Sequence, residues 1–134
     1  GVKELLETYA SDENIYLSLA TGNCKTGAMG KLDHCEASHY FEIGAYGDEA
    51  ENRGQLVNMA LTKAKSHYGV EFKKEHIYYI GDTPKDIEAA RVNKIKSVAV
   101  STGFYEYSEL EKHDPDFLIK GFNDLAEAKK IFEF

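Results

Sequence analysis

Cysteine and proline are scarce, with two of each in 134 residues, and that scarcity excludes several classes of protein. Cys24 and Cys35 build neither a disulfide framework nor a zinc-ligand pattern, so they read as free thiols and the cytoplasm is the expected compartment. Pro84 and Pro115 each fall at an element boundary, and no proline-rich linker or low-complexity tract divides the chain. Cations are outnumbered, with 16 Lys and Arg against 23 Asp and Glu, and they form no cluster, so no nucleic-acid partner is expected. A small anionic substrate fits only where a metal, or a local pocket of cations and amides, reverses the field. No apolar run is long enough to cross a bilayer, so no membrane partner is expected either. Residues 1–10 carry an amphipathic pattern with acidic positions, which reads as a helix and not as a secretory signal.

What is present is an alternation of strands and helices. Ile15–Ala20 is a near-continuous apolar run, expected as a strand buried on both faces and ended by Thr21-Gly22-Asn23. Helices are expected over 2–10, 25–33, 53–68, 84–93 and 125–132, and further strands over 39–43, 77–80, 97–101 and 117–119. The 53–68 helix shows its buried stripe in Leu56, Val57, Ala60, Leu61 and Ala64. Gly44-Ala45-Tyr46-Gly47-Asp48 reads as a loop. Short connections between such elements predict an α/β fold with a parallel sheet covered on both faces.

The most informative segment is Tyr78-Tyr79-Ile80-Gly81-Asp82-Thr83-Pro84-Lys85-Asp86, where an apolar run ends in two carboxylates that frame a helix start. Thr83 and Pro84 have the character of an N-cap and a first helical residue, and Asp86 stands where a capping box would place an acid. Asp82 sits at the carboxyl end of a strand, where open α/β sheets bind ligands. The segment alone is compatible with a capped helix or with a metal site.

Taken in order, Leu19-Ala20-Thr21-Gly22-Asn23, Gly44-Ala45-Tyr46-Gly47-Asp48 with Glu51-Asn52-Arg53, Gly81-Asp82-Thr83-Pro84-Lys85-Asp86 and Ser101-Thr102-Gly103 resemble the motifs of the haloacid dehalogenase superfamily. The resemblance covers nearly the whole chain and is closest to the phosphoglycolate-phosphatase-like hydrolases. It implies a three-layer Rossmann-like fold. It implies Thr21 as a hydroxyl donor to a transferring phosphoryl group, with the Gly22 and Asn23 amides beside it. Arg53 matches the third-motif cation, with Lys63 and Lys65 as the competing candidates. Asp82 is implied as a direct magnesium ligand, and Asp86 as a direct or water-mediated one.

One element of that family pattern is missing. The superfamily nucleophile is the first aspartate of an Asp-x-Asp motif at the end of a first strand, which the family sheet sets between the strand ending at Thr21 and the strand ending at Asp82. The only Asp-x-Asp here, Asp114-Pro115-Asp116, precedes a strand, and Asp48-Glu49 follows no apolar run. Residues 1–134 are therefore expected to be a partial core domain, lacking the central first strand and the cap. The missing amino-terminal segment of the same protein is its expected partner.

The resulting expectation is the core of a magnesium-dependent phosphatase. It would hydrolyse a small phosphorylated metabolite, a phosphomonoester of the phosphoglycolate kind, through an aspartyl-phosphate formed upstream, and the 134 residues alone would be inactive. The alternative is a non-catalytic binding or scaffold module of the same fold. A receiver-like domain is disfavoured, since no acidic cluster ends the first strand. The aromatic loop Phe104-Tyr105-Glu106-Tyr107 reads equally as a site wall or as surface.

Overall fold

The computed structural model describes residues 1–132, and the chain divides into two compact units. One comprises Lys3–Glu71, and the other Gly1–Val2 with the chain from Phe72 onward.

The first unit is built from α1 (Val2–Ala10), β1 (Leu19–Ala20), α2 (Lys25–His34), β2 (Gly44–Ala45) and α3 (Arg53–Tyr68). β1 and β2 pair in parallel, Leu19 opposite Gly44 and Ala20 opposite Ala45. The apolar run from Ile15 predicts a longer strand, but β2 offers backbone partners only to its end. Tyr16 is 40% exposed, and the Leu17 carbonyl accepts a hydrogen bond from the Tyr68 hydroxyl at 2.9 Å instead of a ladder bond. Burial raises the Tyr68 pKa.

The strand expected over 39–43 is also displaced. Ser38–Tyr40 forms a 3-10 turn, and the ladder falls on Gly44–Ala45, inside the expected loop. Close backbone approach explains the shift: a Cβ at Gly44 would stand 3.1 Å from the Leu19 Cβ and carbonyl oxygen, so a small residue suits this crossing.

α3 starts and stops where the sequence predicts. The Asn52 side chain accepts from the Gln55 amide at 2.9 Å, and Gly69 ends the helix in the left-handed region at φ 67°. Its Leu56 and Ala60 pack with Ala45 into a core joined by Ala20, Ala50 and Met59.

The second unit contains β3 (Tyr78–Gly81), α4 (Pro84–Asn93), β4 (Lys96–Val100), α5 (Tyr107–Glu111), β5 (Phe117–Ile119) and α6 (Leu125–Ile131). The strands are all parallel in the order β3-β4-β5, with α4 packed on β3 and β4 and α5 on β5. β3 pairs on one side only, and Ile80 is 40% exposed although its run reads as buried.

The sequence reading contains no α5. Its entry is a capping box in which the Glu106 amide donates to the Glu109 carboxylate at 2.9 Å. Leu110 justifies the helix, being fully buried with Ile87 and Ala99 and flanked by Tyr105 and Leu118. No helix among the described residues is long and apolar enough to cross a membrane.

Asp116 enters β5, as expected of the Asp114-Pro115-Asp116 loop, and fixes the start of the ladder. Its carboxylate accepts from the Ser97 amide at 2.9 Å and the Ser97 hydroxyl at 3.0 Å, while the Asp116 amide donates back to Ser97 Oγ at 2.8 Å. Partial burial pushes the Asp116 pKa up, but the Ser97 bonds and Lys96 outweigh it and hold the carboxyl below its ordinary range. A depressed folded-state pKa stabilises the fold above the unfolded value, and that contribution disappears as pH falls through the folded value. Asp116→Asn is expected to cost on the order of 1 kcal/mol at pH 7, a modest figure because the side chain is 36% exposed. Urea unfolding at falling pH should show the difference from the unsubstituted chain shrinking; a pH-independent difference would contradict the role of its charge.

Candidate functional site

In the first unit, the end of β1 turns sharply at Thr21-Gly22-Asn23. The Thr21 amide donates to the Ala45 carbonyl at 3.1 Å and so extends the β1–β2 pairing by one residue. Thr21 Oγ1 accepts twice, from the Asn23 amide and from Asn23 Nδ2, each at 3.2 Å. A hydroxyl that accepts in this way is oriented, and its own proton has no acceptor among the described residues. The Asn23 amide is therefore engaged with Thr21, whereas the Gly22 amide makes no hydrogen bond among the described residues.

Arg53, the first residue of α3, extends its guanidinium over Gly22. A Cβ built on Gly22 would meet Nη2 at 3.5 Å and Cζ at 3.8 Å. A cation at a helix N-terminus works against the helix dipole, so helix formation does not account for its place. The other two candidate cations, Lys63 and Lys65, lie later in α3 and form ion pairs. Lys63 pairs with Glu49 and donates to the Gly44 carbonyl at 3.2 Å, and Lys65 pairs with Glu71. Glu49 is held below its ordinary pKa by Lys63 first and by the Tyr46 amide second, so the Asp48-Glu49 turn has a structural use.

The second unit orders the end of β3. Asp86 is 6% exposed, and both of its oxygens are engaged. Oδ2 accepts from the Thr83 amide at 3.1 Å and from Thr83 Oγ1 at 2.8 Å, while Oδ1 accepts from the Tyr79 hydroxyl at 3.1 Å. The Asp86 amide returns a bond to Thr83 Oγ1 at 3.3 Å, which completes a capping box at the start of α4. Gly81 is essential to this packing, because a Cβ there would come within 2.4 Å of Asp86 Cγ.

Asp82, by contrast, is exposed, and among the described residues its carboxylate makes no hydrogen bond or ion pair. Gly103 lies directly against it: a Cβ at Gly103 would fall 2.0 Å from Asp82 Oδ2. Among the described residues no three His, Cys, Asp or Glu side chains are grouped to hold a metal ion. Magnesium requires less, since it takes one or two carboxylates and completes its shell with water and phosphate oxygens. An unengaged, exposed carboxylate at a strand end has the donor chemistry that ion prefers, so Asp82 fits it.

Comparison with known proteins gives these two strand ends a common context. The model of the haloacid dehalogenase-like hydrolase family matches residues 1–100. The chain belongs to the haloacid dehalogenase-like hydrolases. A phosphoglycolate phosphatase of Salmonella choleraesuis is 31% identical over 98 residues, which is 72% of this chain and 37% of that protein. The Escherichia coli phosphoglycolate phosphatase is 26% identical over the same share. Among solved structures, a haloacid dehalogenase-like hydrolase of Streptococcus pneumoniae superposes with a TM-score of 0.80 at 25% identity, covering 98% of this chain and 58% of that one. The β-phosphoglucomutase of Clostridium difficile superposes at 0.77 and 20% identity, covering 98% and 55%. The fold is thus the Rossmann-like α/β fold of these hydrolases, with parallel strands flanked by helices. The chain spans little more than a third of the curated relatives it matches.

Gly47, Gly81, Gly103 and Tyr79, to which the sequence alone assigns no role in the site, also shape these strand ends. Gly47 shows the constraint most sharply, since a Cβ there would fall 2.0 Å from the Gly22 carbonyl oxygen, while its amide donates to the Asn23 carbonyl at 2.9 Å. Gly47→Ala is therefore expected to destabilise the chain by about 1–3 kcal/mol through forced backbone shifts. Gly22→Ala meets Arg53 only at ordinary contact distance and is expected to change stability by less than about 0.5 kcal/mol. Parallel urea titrations would check the pair, and equal effects would contradict the packing described.

Proposed function

We propose that this chain is the carboxy-terminal part of the core domain of a magnesium-dependent phosphatase, acting on a small phosphomonoester of the phosphoglycolate kind. The observation that carries the reading is the contrast between two carboxylates: Asp86 is wholly engaged in the β3–α4 turn, whereas Asp82, directly after β3, is unengaged and exposed. The phosphatases among its relatives support the substrate class. The exposed free thiols of Cys24 and Cys35 are compatible with the cytoplasm.

The chemistry is a double displacement at phosphorus. A carboxylate supplied by an amino-terminal segment outside these residues attacks the phosphorus; the bond to the leaving oxygen breaks, its electron pair goes to that oxygen, and an acid outside these residues protonates it and later recovers the proton from the attacking water. Water then attacks the acyl phosphate, releasing inorganic phosphate and restoring the carboxylate. The Thr21 hydroxyl donates a hydrogen bond to a phosphoryl oxygen, Asn23 keeps that hydroxyl oriented, and the Gly22 amide adds a further donor. Arg53 neutralises phosphate charge through paired hydrogen bonds. Asp82 would hold magnesium directly, and the engagement of Asp86 supports the water-mediated option for it. Held there, magnesium would supply charge neutralisation for the phosphoryl oxygens. Substrate choice is left to a cap outside this chain.

The test is phosphate release from phosphoglycolate and from p-nitrophenyl phosphate, with and without magnesium. The 134 residues alone are expected to release none. The longer protein, with a strand ending in Asp-x-Asp upstream, is expected to turn over. In it, Thr21→Ala, Arg53→Ala and Asp82→Asn should each lower kcat by about a hundredfold or more. Turnover by the isolated chain would contradict the reading. An inactive longer protein would turn it toward a binding or scaffold module of the same fold.

A further inference from the structure

We infer that Tyr79 is a positioning residue for the Asp82 carboxylate, acting through Asp86 and the Asp82–Thr83 peptide; the inference rests on the reading of Asp82 as the metal ligand. The connection is a short series of named atoms. Tyr79 is paired in the middle of β3 opposite Ser97 of β4, so its ring has a rigid mount. Its hydroxyl donates to Asp86 Oδ1 at 3.1 Å, and the other oxygen of that carboxylate accepts from the Thr83 amide at 3.1 Å.

That amide belongs to the peptide joining Asp82 to Thr83. The peptide is planar, so fixing the direction of its N–H fixes the whole unit and with it the backbone rotation that aims Asp82. Gly103 lies beside the carboxylate and leaves it room, since a Cβ there would fall 2.0 Å from Oδ2. Asp82 is thereby aimed by a locked peptide, although no hydrogen bond from the described residues reaches its oxygens.

The hydroxyl is needed for a physical reason. A buried carboxylate is held in place by its donors, and removing the Tyr79 hydroxyl takes away one bond that fixes its orientation and favours a turn toward water. Such a turn would withdraw Oδ2 from Thr83 and free the Asp82–Thr83 peptide. Tyr79→Phe removes one oxygen and keeps the ring, so the strand and its packing survive the test.

The experiment uses the full chain and two readouts. The first is hydrogen exchange of the Thr83 amide by NMR in metal-free buffer. Tyr79→Phe is expected to speed it about tenfold while the Val98 and Ala99 amides of β4 stay unchanged. The second is Mn2+ affinity, followed by the electron paramagnetic resonance of the free ion. Tyr79→Phe is expected to weaken it about tenfold, as for other residues that support a metal ligand from behind.

An unchanged Thr83 amide, or faster exchange at unchanged Mn2+ affinity, would overturn the role of Tyr79. Asp82→Asn separates this from the underlying reading. If that variant and the unsubstituted chain bind Mn2+ equally poorly, Asp82 is not the ligand, and the Thr83 amide alone then decides whether Tyr79 sets the turn.

Discussion

The Thr83–Asp86 capping box at the β3–α4 junction governs everything at that strand end. Capping interactions of this kind stabilise a helix by only about 1 kcal/mol, so the box matters less for global stability than for direction. It sets the entry of α4, buries one carboxylate against Gly81, and turns the preceding peptide so that Asp82 faces outward. The two expectations raised by the sequence, a capped helix or a metal site, are therefore not rivals. Asp86 makes the cap, and the cap presents Asp82.

The other unit reaches a comparable result with different parts. Thr21 is oriented by the residue two positions on, and the turn is closed by Gly47, whose lack of a side chain lets its backbone sit against the Gly22 carbonyl. Arg53 is delivered by a helix whose cap is the neighbouring Asn52, and its guanidinium covers Gly22. In both units, groups suited to phosphate chemistry stand at the carboxyl end of a parallel strand and on the first turn of the next helix. Short-range bonds order each turn, from the Asn23 amide to Thr21 in one and from Thr83 to the Asp86 carboxylate in the other.

Legibility in the sequence followed the range of the forces involved. α3 and α4 were readable to within a residue because cap, periodicity and stop signal are all local. β1 was overestimated because the length of a strand depends on what pairs with it, and Gly44–Ala45 reaches only its last two residues. The strand expected over 39–43 failed for a related reason, since close approach to Leu19 favours Gly44 and the turn reading of that glycine concealed it. α5 was hidden in an aromatic, acidic run whose meaning depends on Leu110 entering a core assembled from distant residues. The positions of Thr21, Arg53, Asp82 and Asp86 were legible as motif residues. The engagement of both Asp86 oxygens, the Tyr79 bond and the room Gly103 leaves for Asp82 arise from tertiary geometry.

In the proposed phosphatase, this chain holds and neutralises phosphate while the nucleophile lies outside it. Mass spectrometry of the longer protein, quenched during turnover and treated with borohydride, tests this, because borohydride reduces an aspartyl phosphate to homoserine. Homoserine is expected at an aspartate upstream of residue 1, dependent on substrate. A homoserine at any aspartate within the 134 residues, or none during active turnover, would contradict it.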